Sequence, residues 1–101
     1  MTNDVASISR SAISAYQNML RNTASNVANL NTEGYKPRET QMQDLAGGGV
    51  VAKTTRDENA YSVDLSKEMV ALITADIGVK ANAEVLQTAA RTQKSIVDIL
   101  I

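Results

Sequence analysis

Apolar residues recur at spacings of three and four along two long segments of the 101-residue chain. The first segment runs from residue 3 to about residue 30, and the second runs from about residue 64 to the end. Such spacing places the apolar positions on one face of an α-helix. We therefore predict a mainly α-helical fold in which two long terminal helices, 3–30 and 64–101, form an antiparallel coiled-coil-like pair.

The first predicted helix has a wide apolar face. Its packing seam comprises Ile13, Tyr16, Leu20, Val27 and Leu30. A second stripe lies beside this seam and comprises Val5, Ile8, Ala12, Ala15 and Met19. Two adjacent stripes cover more of the helix than contact with a single partner helix requires.

The second predicted helix keeps a heptad spacing over about five repeats, the pattern expected of a coiled coil. Its seam comprises Leu65, Met69, Leu72, Val79, Leu86, Val97 and Leu100. We predict Asp64 or Ser62 as its cap. Gly78 lies inside the helix, at a cost of about 1 kcal/mol relative to Ala, and so marks a soft point or a close approach. The pattern fits both a self-contained helical hairpin or small bundle and a subunit whose helices pack against copies or relatives.

Residues 31–62 form the turn and the connection between the helices. Gly47, Gly48 and Gly49 separate ETQMQDLA from VVAKTT, and no Gly-Lys-Ser/Thr follows them, so we interpret them as a turn and not as a phosphate loop. The flanks are predicted to be either irregular or two short strands of a β-hairpin. We expect this connection to contribute little to stability, and we predict one domain over residues 1–101.

The composition argues against an enzyme. The chain contains no His, Cys, Trp or Phe. Without His or Cys, the usual nucleophile–base pairs and the commonest transition-metal ligands are missing. We therefore predict no catalytic site, no cofactor site and no metal site.

Charge and hydropathy narrow the choice of partners. The formal net charge is −1, and the Lys and Arg residues are spread along the chain without a basic stripe, so we expect no nucleic-acid partner. No run of about 18 apolar residues is present, so we expect no membrane span. The start, MTNDVASISR, lacks the basic and apolar regions of a cleaved signal peptide.

Residues 24–36 read ASNVANLNTEGYK, a dense group of turn-forming and helix-ending residues. This string resembles the N-terminal motif of the flagellar axial proteins, the basal-body rod and hook family, which is usually close to A-N-N-I-A-N-A-N-T-P-G-Y-K. The matches are Ala24, Asn26, Ala28, Asn29, Asn31, Thr32, Gly34, Tyr35 and Lys36. Asn29, Asn31, Thr32, Gly34 and Tyr35 form the turn motif, and Glu33 stands where Pro is usual. We expect Tyr35 to pack at the turn with its hydroxyl at the surface.

A second resemblance covers residues 63–89, VDLSKEMVALITADIGVKANAEVLQTA. It is similar to the family's C-terminal signature, usually near V-N-L-V-E-E-M-V-x-M-I-x-A-Q-R-A-Y-E-A-N-x-x-V-I-x-T. The matches are Val63, Leu65, Glu68, Met69, Val70, Ile73, Ala75, Ala81, Asn82, Val85 and Thr88. Val79 stands where the signature usually has an aromatic residue.

The resemblance implies a structural subunit of the bacterial flagellar basal-body rod, closest in size to the small proximal-rod-type proteins. It implies a periplasmic location, export through the flagellar type III channel without a cleaved signal, and terminal helices that pack with other rod subunits or copies into a tubular shaft. The segment between the two motifs is too short for a full middle domain. Two other interpretations stay open: an adaptor or regulatory protein that binds rod subunits, and an unrelated two-helix bundle.

Overall fold

The structure, a computed structural model, describes residues 5–100. Along the chain it contains helix α1 (Val5–Ala28), strand β1 (Arg38–Asp44), strand β2 (Val50–Arg56) and helix α2 (Leu65–Leu100). The predicted helical fold with a β-hairpin connection is therefore confirmed. Helix α1 ends two residues earlier than predicted, and the predicted helical positions 3, 4 and 101 lie outside the described residues.

Helix α2 begins where its cap is predicted. Asp64 precedes the first helical residue, and its Oδ1 accepts a hydrogen bond from the backbone N–H of Lys67 at 3.3 Å. The backbone N–H of Glu68 donates to the Asp64 carbonyl at 3.0 Å. The side-chain bond satisfies a donor that the first turn of a helix leaves without an intrahelical partner, and the bond to the carbonyl is the first of the regular helical hydrogen bonds.

The two helices pair in antiparallel orientation through short side chains. Asn26 near the end of α1 contacts Glu68 near the start of α2, whereas Tyr16 in the middle of α1 lies over Gly78. In the described part of the chain, the buried apolar residues are small and few, namely Ala12, Ala15, Val63 and Ala75. The molecule is elongated, with extents of 63 × 24 × 14 Å, because 36 residues of α2 follow one another in a single helix.

The strands form a two-stranded antiparallel sheet that packs on α1. Thr40 pairs with Thr54 next to its central pair, Gln41 and Lys53. The side-chain amide of Asn22 donates to both threonine hydroxyls, at 2.7 and 3.0 Å. Within residues 5–100, no Cα atom of α2 lies within 8 Å of a strand Cα atom. The wide face predicted for α1 thus has two neighbours in the same chain, α2 and the hairpin.

The glycine turn at the tip of the hairpin also rests on α1. The Oγ of Ser11 accepts a hydrogen bond from the backbone N–H of Val50 at 3.0 Å. Gly49 has a φ of 97°, and a Cβ atom there would lie 2.8 Å from Ser11 Oγ. We therefore expect substitution of Gly49 to cost more than the flexible-turn interpretation predicts, because both backbone conformation and space require glycine.

Gly78 marks a close approach between the helices. A Cβ atom at this position would lie 2.6 to 2.7 Å from three ring atoms of Tyr16, much closer than van der Waals contact allows. Gly78 itself is buried. The Tyr16 ring therefore occupies the space where a side chain at position 78 would lie. Glycine destabilises a helix interior relative to alanine, but only glycine leaves room for this contact.

We predict that Gly78→Ala destabilises the protein, although Gly→Ala inside a helix normally stabilises by about 0.5–1 kcal/mol. Overpacking against the Tyr16 ring should cost about 1–3 kcal/mol and outweigh that gain. Urea unfolding followed by circular dichroism measures the difference. In a Tyr16→Ala background the same substitution should stabilise, and destabilisation of equal size in both backgrounds would contradict the assignment.

Candidate functional site

The turn motif begins by closing the end of α1. The backbone N–H of Asn29 bonds to the carbonyls of Ser25 and Asn26, at 3.1 and 3.2 Å. Its side-chain amide also donates to the Ser25 carbonyl, at 2.8 Å. Asn29 thus satisfies carbonyl groups that the last turn of a helix leaves without partners. Asn31, the next member of the motif, is exposed.

Thr32, Gly34 and Tyr35 reverse the chain after the helix. The Thr32 hydroxyl donates to Asn29 Oδ1 at 3.1 Å, and the Thr32 carbonyl accepts from the N–H of Tyr35 at 3.3 Å. Gly34 adopts a φ of 78°, a conformation that glycine reaches without steric cost. The motif residues therefore act together as a compact turn that sends the chain back along α1.

The Tyr35 side chain returns to α1 and is half-buried. Its hydroxyl donates to Asn26 Oδ1 at 2.8 Å and lies 3.0 Å from Ser25 Oγ. The expectation that this hydroxyl lies at the surface is wrong. The hydroxyl of Tyr35 has hydrogen-bond partners on α1, and the side chain therefore holds the turn against that helix.

Asn26 is the centre of this network and is 1% exposed. Its Nδ2 donates to the Arg38 carbonyl at 2.8 Å, and its Oδ1 accepts from the Arg38 N–H at 2.8 Å. The same Nδ2 donates to Glu68 Oε1 and Oε2, at 2.6 and 3.1 Å. One carboxamide thereby joins α1 to the turn, to the first residue of β1 and to α2.

Glu68 supplies the contact from α2 and is buried in the first turn of that helix. A negative side chain there is favoured by the partial positive charge at a helix N-terminus. Hydrogen bonds from the Asn26 amide further stabilise the carboxylate. Glu68 is therefore held in position by electrostatics from its own helix and by hydrogen bonds from α1.

A more exposed ion pair links the hairpin to α2. Lys67 pairs with Glu39 of β1, and this side-chain hydrogen bond raises the pKa of the Lys67 ammonium above its usual value of 10.5, while burial opposes the rise. Because the folded-state pKa is raised, the stabilisation is present at neutral pH and is lost only as the pH rises through that pKa. Both side chains are well exposed, so the pair is worth little.

Sequence reasoning assigned no role to Asn22, Asn26 or Glu68. Asn26 and Glu68 were identified only as letters of the two matching motifs. A stronger signal is the spacing of the two asparagines, since positions four apart lie on the same side of a helix. Both fall on the side of α1 that the structure buries.

The predicted seam of α1 lies partly against α2. Ile13, Tyr16 and Leu20 are half-buried, whereas Val27 and Leu30 near the turn are exposed. The most deeply buried positions of α1 are instead small or polar: Ser9, Ala12, Ala15, Asn22, Thr23 and Asn26. The larger seam residues therefore border the helix contact, and the small residues form its centre.

Most of the predicted seam of α2 points away from α1. Only Val79 and Leu86 of that seam are half-buried; its exposed members are Leu65, Met69, Leu72, Val97 and Leu100. The buried face is formed one position earlier, by Glu68, Ala75 and Gly78. A seam with a seven-residue repeat rotates by about 20° per repeat around an α-helix, so over five repeats it moves by about 100°. The seam thus turns toward α1 by the middle of α2, whereas Val97 and Leu100 lie beyond the level of the described start of α1.

Helix α2 carries a continuous exposed apolar surface on its first half, which we call the outer face. It comprises Leu65, Met69, Val70, Leu72, Ile73 and Ile77. Exposed fractions of these six side chains range from 42% at Leu72 to 64% at Val70. Contiguous apolar exposure of this kind marks an interaction surface. The described end of α2 adds four more exposed residues, Ile96, Val97, Ile99 and Leu100.

Two further findings concern other classes of site. In the part of the chain that the structure describes, no group of three or more acidic or metal-ligating side chains is arranged to hold a metal ion. No helix between residues 5 and 100 is both long and apolar enough to cross a membrane.

We predict that Asn26→Ala destabilises the protein by at least about 3 kcal/mol, because it leaves Arg38 backbone groups and the Glu68 carboxylate buried without partners. Thermal and urea unfolding measure this loss. Asn18 on the same helix is the matched control, since its amide bonds Arg21 at an exposed site. Asn18→Ala should be neutral or slightly stabilising, because alanine has the higher helix propensity. Similar losses at both positions would contradict the role of Asn26.

Comparison with known families finds one match. Residues 7–36 match the family model described as flagella basal body rod protein. The matched segment contains most of α1 and the whole turn motif, including Asn26 and Tyr35. The predicted resemblance to the flagellar rod family is confirmed by this match, which supports a structural role in the basal-body rod. A search of curated protein sequences finds no significant match.

Proposed function

We propose that this chain, as a protein of the flagellar basal-body rod family, is a subunit that packs its terminal helices against neighbouring subunits in a tubular shaft. The observation that carries the proposal is the outer face of α2. Large apolar side chains there are exposed although the same helix buries small residues against α1. A self-contained helical pair would bury its large apolar side chains and expose the small ones, because burial of large side chains contributes most to stability.

Neighbouring helices would complete what the isolated chain lacks. Few apolar side chains are buried among residues 5–100, and they are mainly alanines. Burying six larger side chains of the outer face in an assembly would add substantial hydrophobic free energy, at about 1.5–3 kcal/mol for each fully buried side chain. Much of the predicted seam of α2 would then contact other subunits, and the adjacent face of α2 contacts α1 within the chain.

Helix α2 also extends beyond the described start of α1. The antiparallel pairing places Asn26 at Glu68 and Tyr16 at Gly78, so Val5 lies near the level of Ala89. Every residue from Arg91 to Leu100 is exposed. This segment is positioned to contact the next subunit along a shaft. A periplasmic location, export through the flagellar type III channel and the size of a small proximal-rod-type protein belong to the same proposal.

We predict that Met69→Gln combined with Leu72→Gln weakens self-association, or binding to other rod subunits, by at least about tenfold. The two side chains are exposed in the monomer, so its stability should change by no more than about 0.5 kcal/mol per substitution. Sedimentation velocity and helical circular dichroism over a hundredfold dilution series measure both quantities. Coupled gains in mass and helicity are expected for the unmodified chain.

Leu45→Gln is the matched control, because Leu45 at the hairpin tip is as exposed as Met69, 49% in both cases. It should weaken association much less than the double substitution on the outer face does. A compact monomer at every concentration, with both helices fully formed and with or without rod subunits present, would contradict the proposal. Binding to rod subunits without presence in purified basal bodies would favour an adaptor instead.

A further inference from the structure

The hydrogen bonds of the hairpin show which backbone N–H and C=O groups point inward, between the strands, and which point outward at its two edges. Asp57 N–H donates to the Pro37 carbonyl at 2.9 Å, and Leu45 N–H donates to the Gly49 carbonyl at 3.0 Å. The register between these two pairs is uninterrupted. Because opposite pairs in an antiparallel ladder alternate between bonded and non-bonded, the odd-numbered residues direct their N–H and C=O groups into the hairpin. The even-numbered residues of both strands direct theirs outward.

Helix α1 covers both edges, but only at opposite ends. Asn26 bonds both outward groups of Arg38 at the start of β1. Ser11 bonds the outward N–H of Val50 at the start of β2. Helix α1 thus crosses the sheet diagonally, with Asn22 under its centre. Across the described residues, no partner takes up the outward backbone groups in the middle of either edge.

A groove lies beside the β1 edge. It has a volume of about 410 Å³ and lies between residues 37–41 on one side and Lys67, Glu68 and Ala71 of α2 on the other. Met19 and Thr23 of α1 and residues of the segment 57–64 also line it. Paired strands lie about 4.8 Å apart, and within residues 5–100 no Cα atom of α2 lies within 8 Å of a β1 Cα atom. An unpaired strand edge with adjacent space is a template for a further strand.

The charges of the two strands favour a second copy of this chain as the source of that strand. Strand β1 carries Arg38, Glu39 and Asp44, a net charge of −1, whereas β2 carries Lys53 and Arg56, a net charge of +2. Like charges on adjacent strands are unfavourable, and opposite charges are favourable. The β1 edge therefore suits the β2 edge of another copy better than it suits another β1 edge.

We propose that β1 of one copy pairs with β2 of a second copy, so that the hairpins of successive subunits form a continuous antiparallel sheet. Within one chain β1 and β2 are antiparallel. Copies placed side by side in the same orientation therefore keep the strand direction alternating across the whole sheet. Such a contact joins two different surfaces and can repeat without closing, as a shaft requires. This inference rests on the proposed role as an assembling subunit and names a second contact, separate from the outer face of α2.

Disulfide cross-linking tests the pairing, because the natural chain has no cysteine. Gln41→Cys and Lys53→Cys both lie at exposed positions on the sheet face opposite α1, since Thr40 and Thr54 face the helix. Each variant carries a tag of different mass, and the two are mixed under mild oxidation. We expect the mixed disulfide to exceed both single-variant disulfides. Gln43→Cys mixed with Lys53→Cys covers a register shifted by two residues.

Ala52→Pro provides a second measurement. The Ala52 N–H points outward, so proline removes a donor for the second copy and leaves the hairpin's own hydrogen bonds intact. Association should weaken about tenfold, with unchanged circular dichroism. Disulfides mainly between identical variants, or no disulfide in a sample that sediments as an assembly, would overturn the strand pairing and leave the helix proposal standing. A chain that never associates would overturn both.

Discussion

The carboxamide of Asn26 is the interaction on which the rest of the structure depends. It is buried, and each of its polar atoms has partners from different parts of the chain. Its two bonds to the Arg38 backbone imitate a neighbouring strand, and so they place the start of the hairpin on α1. Its bonds to Glu68 set the level at which α2 meets α1. A small apolar residue could fill the space but could not direct three segments at once.

The helix contact follows from that arrangement. Buried positions near Asn26 are occupied by short side chains, and Gly78 gives its space to the Tyr16 ring. Short side chains allow close approach of the helices but bury little apolar area, so the pair alone has a thin core. The large apolar residues of α2 stay outside this contact. Hydrogen bonds therefore connect the segments of the chain to one another. Its larger apolar side chains stay exposed and can contact other molecules.

The two ends of the molecule therefore differ in their interactions. The end that contains the turn motif, the hairpin and the start of α2 is fixed by hydrogen bonds of defined direction. The other end, where α2 passes beyond the described start of α1, has exposed apolar residues and no hairpin beside it. The proposed role as an assembling subunit uses both properties, because such a subunit must hold a specific orientation and also bury surface against the next.

The sequence by itself determined the two helices, the break between them, the Asp64 cap and the family resemblance. These depend on local periodicity, on turn chemistry and on short motifs, all of which are legible along one chain. The presence of a hairpin could be named as an option, because its flanks show only weak alternation.

Only the tertiary structure decided which face of α2 meets α1 and what Asn26 and Tyr35 do. A heptad seam specifies spacing but not the angle at which a straight helix presents it. The drift of about 20° per repeat turns the first part of the seam out of the contact, and the last part lies beyond the described start of α1. Polar residues such as Asn22 and Glu68 give no periodic apolar signal, so their burial becomes visible only when segments distant in sequence are brought together. The physical reason is that hydrogen bonds between distant segments depend on relative orientation, which one-dimensional spacing does not contain.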